Sequence, residues 1–192
     1  MKILGSIVLV VFYVVYIGKM VLQKKKGIQT DQMAKGSRRD KVFYVELFLK
    51  IATYSVVIVE VGSIFLAKPS LSKELLTIGI LLSFIGDIVF AMAVITMKDS
   101  WRAGLAEKDE TKMITNGIYK ISRNPAFLGF DLVYIGILLM FFNWILFFFS
   151  LFAIVMLHIQ ILQEELYLER VFGTTYMDYK SKVCRYFGRK TL

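Results

Sequence analysis

Five apolar runs separated by short polar stretches organise the chain: 3 to 22, 42 to 67, 75 to 97, 126 to 142 and 144 to 162. A helix rises about 1.5 Å per residue and needs about 20 apolar residues to cross bilayer hydrocarbon, so the first three runs are long enough and the last two just reach. The pattern predicts an all-α integral membrane bundle of about five transmembrane helices. Only Asn143 separates the fourth run from the fifth, which predicts a tight helical hairpin with Trp144 anchored at an interface. Lys2 ahead of the first run resembles the start of a secretion signal. That run is too long, has no small-residue cleavage pattern, and is followed at once by Lys24, Lys25 and Lys26, so it reads as an anchor.

Polar positions inside the runs are the informative exceptions. Asp87 falls near the middle of the third run, where an ionised carboxylate is disfavoured by about 2.5–3.5 kcal/mol. It must face the bundle interior, either as an inter-helix hydrogen-bonding group or in a functional role. Glu60 lies toward the outer side, within reach of water, and Glu46 and Lys50 have the spacing of a pair on one helix face. Asp131 and His158 are expected at a common level in the hairpin of the fourth and fifth runs, just above Arg123 and Asn124. The fifth run continues into Gln160, Gln163, Glu164, Glu165, Tyr167 and Glu169. At 100° per residue, His158, Leu162, Glu165 and Glu169 share one stripe, and Gln160, Glu164 and Tyr167 another. Glu164 and Glu165 therefore diverge by about 100°, and only one of the two is expected to enter a pocket.

Composition and charge settle class and orientation. With 57% hydrophobic residues in 192 and a mean hydropathy of +0.62, a soluble domain is excluded. The net charge of +9 collects in loops between apolar runs, which is the distribution of topology signals and not of a nucleic-acid surface. Lysines and arginines at 24–26, 35–41, 102–123 and 180–190 place those loops in the cytosol and the amino terminus outside. A multi-pass protein whose motif-bearing loops face the cytosol follows. One cysteine, Cys184, allows no internal disulfide, and no cysteine–histidine set has metal-ligand spacing. We divide the chain into a membrane region of three helices, 1–98, and a catalytic region, 99–192.

Residues 114 to 129 crowd Gly117, Tyr119, Arg123, Asn124, Pro125 and Gly129 against the start of an apolar helix, which reads as the floor of a site. Gly117-Ile-Tyr119 and Ser122-Arg123-Asn124-Pro125-Ala-Phe127-Leu128-Gly129, followed by His158, Glu164-Glu165, Phe172-Gly173, Tyr176, Tyr179 and Arg185, resemble the isoprenylcysteine carboxyl methyltransferase and phospholipid methyltransferase superfamily. Trp101-Arg102-Ala-Gly104 is similar to an element of its bacterial members. The resemblance covers about residues 99 to 187.

That resemblance implies a methyltransferase using S-adenosylmethionine, bound from the cytosol beneath the last two helices, and acting on a membrane-embedded lipid or lipidated acceptor. Position by position it implies a cofactor cradle of Gly117, Tyr119, Arg123, Asn124, Pro125, Leu128 and Gly129, with His158, Glu164 and Glu165 opposite. Arg185, Glu165 and Arg102 are the candidate catalytic residues, the arginines as orienters of an acidic acceptor group. The residue types fit the cofactor: a guanidinium for its carboxylate, an acid for its ammonium or diol, exposed backbone N–H groups, and aromatic walls. Asn124, Phe127 and Lys182 depart from the superfamily's usual His, Tyr and Arg, and the proline-rich ending is missing. These departures bear on a prenylcysteine acceptor more than on the cofactor. Phospholipid N-methylation, an NADPH-dependent reductase of the sterol-reductase type, and a non-enzymatic membrane scaffold are the alternatives. The acceptor and the oligomeric state stay open, as does the choice between Glu164 and Glu165.

Overall fold

Local chemistry marks where the helices begin. In the computed structural model, which describes residues 1–35, 39–68, 70–104 and 112–190, five helices follow in order: α1 (Lys2–Lys25), α2 (Lys41–Leu66), α3 (Lys73–Met97), α4 (Pro125–Met140) and α5 (Trp144–Lys182). Asp40 caps α2 by accepting from Phe43 N at 3.0 Å. Asn143 caps α5 by accepting from Leu146 N at 2.9 Å and also donates to Ser63 Oγ on α2 at 2.9 Å. Pro125 opens α4 at the position where a missing N–H costs nothing. Short 3₁₀ turns occupy Lys98–Ser100 and Gly117–Lys120.

The helices α1, α2, α3 and α5 are long and apolar enough to cross a membrane, and α4 is a shorter apolar helix of 16 residues, about 24 Å. The expected bundle of about five apolar helices is present, with residues 141–143 rather than Asn143 alone turning the hairpin.

The most extensive packing is α3 on α4, and next α2 on α5. Glycines set the first seam. A Cβ on Gly86 would lie 2.9 Å from the Gly129 carbonyl, and one on Gly136 would lie 2.6 Å from that of Gly79. Backbones meet directly, as small residues permit where lipid supplies no hydrophobic drive. An aromatic core of Phe12, Tyr16, Phe90, Trp101 and Phe130 fills the space between α1, α3 and α4, with Phe12 stacked on Phe90 at 4.5 Å.

Two expectations for α2 are corrected. Glu60 does not reach water: it is fully buried, and neither carboxylate oxygen has a partner among the described residues. Glu46 and Lys50 do not pair with each other. Glu46 accepts from Ala34 N at 2.9 Å, and Lys50 binds Asp31 at 3.1 Å. Both are drawn onto the first loop, whose buried polar groups need partners.

That loop and the segments 98–104, 112–124 and 163–190 gather at one end of the bundle, the basic end. The first loop is stitched to residues 101–104. Ala103 N donates to Thr30 O at 3.0 Å and Gln32 N to Ala103 O at 2.7 Å. Buried Gln23 donates to Trp101 O at 3.0 Å while accepting from Thr30 Oγ1 at 2.6 Å. Helix α5 runs on to Lys182 with a break at Gly173, whose φ of 53° suits glycine, and residues 183–190 form a strap.

Candidate active site

The turn Ser122-Arg123-Asn124 has its backbone fixed by the strap. Arg123 N donates to Cys184 O at 3.1 Å, Asn124 N to Arg185 O at 3.2 Å, and Gly188 N to Ile121 O at 2.7 Å. Side chains lock the same contact. Glu165 receives Arg123 Nη2 at 2.7 Å, Arg185 Nη2 at 2.9 Å and Arg185 Nε at 3.1 Å. Asn124 Nδ2 donates to Arg185 O at 3.2 Å, and Arg123 Nη1 donates to the carbonyls of Lys180 and Val183. Burial opposes the charge on Glu165, but the hydrogen bonds from Arg185 and Arg123 outweigh it and hold the carboxyl below its usual range.

Two cavities meet above this tie. A polar cavity at the basic end holds about 930 Å³, including space open to solvent. Tyr119, Arg123, Asn124, Glu164, Tyr176 and Tyr179 supply its polar wall. An apolar cavity of about 690 Å³, again including open space, extends into the bundle between Tyr13, Leu49, Val57, Phe130 and Leu157. Trp101, Arg102, Gly104, Ala126, Phe127 and Glu164 line both cavities and so form a junction.

Glu164 is the one acid at that junction among the described residues. About 20 residues from Trp144 cross the hydrocarbon, so Glu164 lies at the exit of the span. Removal from bulk water pushes its carboxyl up to about 8, against the hydrogen bond from Gln160 and with a further push from the charge of Glu46. Arg102 sits beside it with Nη1 on the carbonyls of Asp99 and Trp101.

The structure thus brings Tyr119, Arg123, Asn124, Glu164 and Arg102 to the cavities. Glu165, Arg185 and Pro125 stand beneath as the floor's support. The other expected cradle residues are elsewhere. Gly117 (φ 55°) faces Thr96, Gly129 belongs to the seam with Phe90 and Gly86, and Leu128 lines neither cavity. His158 turns toward the strap, where Nδ1 lies 2.7 Å from the Tyr186 hydroxyl and the two rings stack. Residues that sequence reasoning passed over are Tyr13, Tyr16, Thr53 and Tyr54 in the apolar cavity, and Gln23 and Thr30, which hold the Trp101 segment. The i, i+3 spacing of Tyr13 and Tyr16 within an apolar helix is the signal that marks them.

A sequence model of the isoprenylcysteine carboxyl methyltransferase (ICMT) family matches residues 75–170, half the chain. The match takes in α3, which carries no motif of its own, and ends before Phe172, Gly173, Tyr176, Tyr179 and Arg185. Among curated proteins, the chain is 29% identical over 109 residues to "Probable protein-S-isoprenylcysteine O-methyltransferase" of Oryza sativa subsp. indica, covering 55% of this chain and 57% of that protein. It is 30% identical over 110 residues to "Protein-S-isoprenylcysteine O-methyltransferase B" of Arabidopsis thaliana, covering 55% of each. The alignments thus span little more than half the length of these relatives. The matched residues carry the α3–α4 seam, the junction and both glutamates, and on that footing the chain belongs to the isoprenylcysteine carboxyl methyltransferase family.

Proposed function

We propose that the protein transfers a methyl group from S-adenosylmethionine, bound in the polar cavity at the cytosolic end, to a lipid or lipidated acceptor whose apolar part lies in the apolar cavity. The observation that carries this reading is the junction, where a polar cavity open at the basic end and an apolar cavity inside the bundle share one set of walls. The excess of lysine and arginine at that end supports a cytosolic placement, with the amino terminus outside.

The residues present fit the donor. Arg123 Nε and the Tyr176 hydroxyl are buried polar atoms without partners among the described residues, and both side chains line the polar cavity. Glu164 would hold the cationic part, Arg123 and Asn124 the carboxylate side, and Tyr119, Phe172, Tyr176 and Tyr179 the flat ring. Bound there, the donor supplies an electrophilic methyl group on a sulfonium sulfur. Trp101, Phe127 and Ala126 exclude water where the two ligands meet, and Arg102 orients the polar group of the acceptor. In-line displacement draws its rate from alignment, which for well-held reactants reaches about 7–11 kcal/mol. Glu165 and Arg185 serve by fixing the floor.

Calorimetry with S-adenosylmethionine in detergent tests the reading. Wild type should bind, Glu164→Gln should weaken binding, and Phe127→Trp should bind normally while blocking methyl transfer to a farnesylcysteine probe. Absence of binding by folded wild type removes the proposal.

A further inference from the structure

The strap reaches the lipid side of the bundle, a position that the methyl-transfer reading leaves unused. At 100° per residue, His158, Leu162 and Leu166 turn away from Leu157, Gln160 and Glu164, which line the cavities. Leu162 and Leu166 are exposed on that outer side. Tyr186 of the strap stacks its ring on His158 there, six residues, or about 9 Å, nearer the bilayer centre than Glu164. The strap is therefore drawn up against α5 at the boundary between hydrocarbon and headgroups, the layer in which tyrosine rings settle.

The next residue carries an apolar tip. Phe187 is 72% exposed, in a turn closed by Cys184 N donating to Gly188 O at 2.9 Å. Gly188 N donates to Ile121 O at 2.7 Å, which sets exposed Ile121 beside that turn. Cations flank the two. Lys120, Lys182, Arg189 and Lys190 are all exposed; Lys190 N donates to Lys182 O at 3.0 Å, and Lys120 precedes Ile121. Residues 183–190 contain no acid, and Lys120, Lys182 and Arg189 have no acidic partner among the described residues. An aromatic tip flanked by cations at headgroup level complements one surface, a leaflet carrying anionic lipid.

We propose that the strap is a docking surface for anionic lipid headgroups, with Phe187 inserted among them and Lys120, Lys182 and Arg189 facing their phosphates. The floor of the site feels this contact, because the strap carbonyls of Cys184 and Arg185 accept from Arg123 N and Asn124 N at 3.1 and 3.2 Å. A strap pinned to the leaflet opens less often, so anionic lipid steadies the floor whatever small molecule lies above it.

Vesicles of phosphatidylcholine alone, and of an equal mixture with phosphatidylglycerol, provide the test. A nitroxide at position 187, introduced by Phe187→Cys in a Cys184→Ser background, should lie at headgroup depth in the mixed vesicles and move toward water in phosphatidylcholine. One introduced by Arg170→Cys in the same background should stay in water in both. Without a label, exchange of the Arg123 and Asn124 amides should slow about fivefold or more in the mixed vesicles, the factor that one cation at an anionic surface supplies. A Lys182→Gln, Arg189→Gln double variant should lose both responses. Lys24→Gln, Lys25→Gln removes as much charge from another basic loop and should keep them. Unchanged amide protection along the α3–α4 seam shows that the variants are folded, and if the double variant fails there, label depth in the otherwise intact chain still decides. Equal depth of the position-187 label in the two vesicles overturns the proposal, as does an equal loss in the Lys24→Gln, Lys25→Gln variant, which would mean diffuse charge. Neither readout uses S-adenosylmethionine, so failure here leaves the methyltransferase reading standing.

Discussion

Replacing Glu165 with Gln keeps the shape of the side chain and removes the charge on which two arginines converge. The two arginines differ in what they lose. The side chains of Glu165 and Arg123 are 4% and 5% exposed, whereas that of Arg185 is 34% exposed. Arg185 regains water when its partner is neutralised, so its share falls in the range of exposed pairs, about 0–1 kcal/mol. Arg123 becomes a buried cation without a counter-charge, a change that costs about 3–5 kcal/mol. Its Nη1 keeps the carbonyls of Lys180 and Val183, which favours the lower end, about 3 kcal/mol. The pH dependence follows from the sign of the shift. A carboxyl held below its ordinary 4.5 stabilises the folded state fully above that value and progressively less as pH falls through its lower folded value. Unfolding in mixed micelles, followed against pH for wild type, Glu165→Gln and Arg185→Gln, reads both effects. Glu165→Gln should be the more destabilised variant near neutrality and should lack the acid limb seen in wild type. A Glu165→Gln protein within about 1 kcal/mol of wild type, or less affected than Arg185→Gln, would refute the assignment of Glu165 as the buried tie.

Other outcomes follow from single contacts. Gly136→Ala would place a Cβ 2.2 Å from Ser83 Oγ and 2.6 Å from Gly79 O, so the α3–α4 seam should part and thermal stability drop by about 1–3 kcal/mol. Glu60→Leu removes a buried carboxyl with no partner among the described residues and should raise the unfolding midpoint, by about 1–3 kcal/mol of stability. Affinity for S-adenosylmethionine should strengthen as pH rises toward about 8, where Glu164 ionises, and Glu164→Gln should abolish that rise in a calorimetric pH series.

The helices and the motif turn were legible because lipid imposes long apolar runs and because a proline bordering such a run is best placed in its first turn. Rotation about each helix axis was harder to read, although its signal was present. The buried side of α2 carries Glu46, Leu49, Ala52, Val56, Glu60 and Ser63, while Tyr44, Phe48, Ile51 and Ile58 point outward. In lipid, small and polar residues face neighbouring helices and bulky apolar ones face the tails, so depth alone misplaced Glu60 in water. On α5 the two stripes were correctly separated: Gln160, Glu164 and Tyr167 reach the cavities, and His158 and Glu165 hold the strap. Periodicity separates faces without saying which one meets a ligand; the family resemblance assigns His158 to the cofactor wall, and the structure sets its ring against Tyr186 of the strap. Gly129 shows the same gap, since a glycine that admits a ligand and one that admits a neighbouring helix look identical in sequence.

The amino-terminal half has no motif, yet it builds part of the site. Trp101 and Arg102 line both cavities, and the segment that carries them is held by Gln23, Thr30 and Gln32 of α1 and the first loop. Tyr13 and Tyr16 close the apolar cavity from the same helix, and Gly86 of α3 sets how closely α4 can approach. The Arg123–Glu165–Arg185 tie needs none of these residues, because its partners all lie beyond position 120. A floor can therefore form where a junction cannot. A Gln23→Ala substitution separates the two: it removes the bonds from α1 to the Trp101 carbonyl and to Thr30 without touching the tie, so it should weaken methyl transfer while the strap stays protected from proteolysis. If the strap became cleavable in that variant, floor and roof would be one cooperative unit and their separation would be wrong.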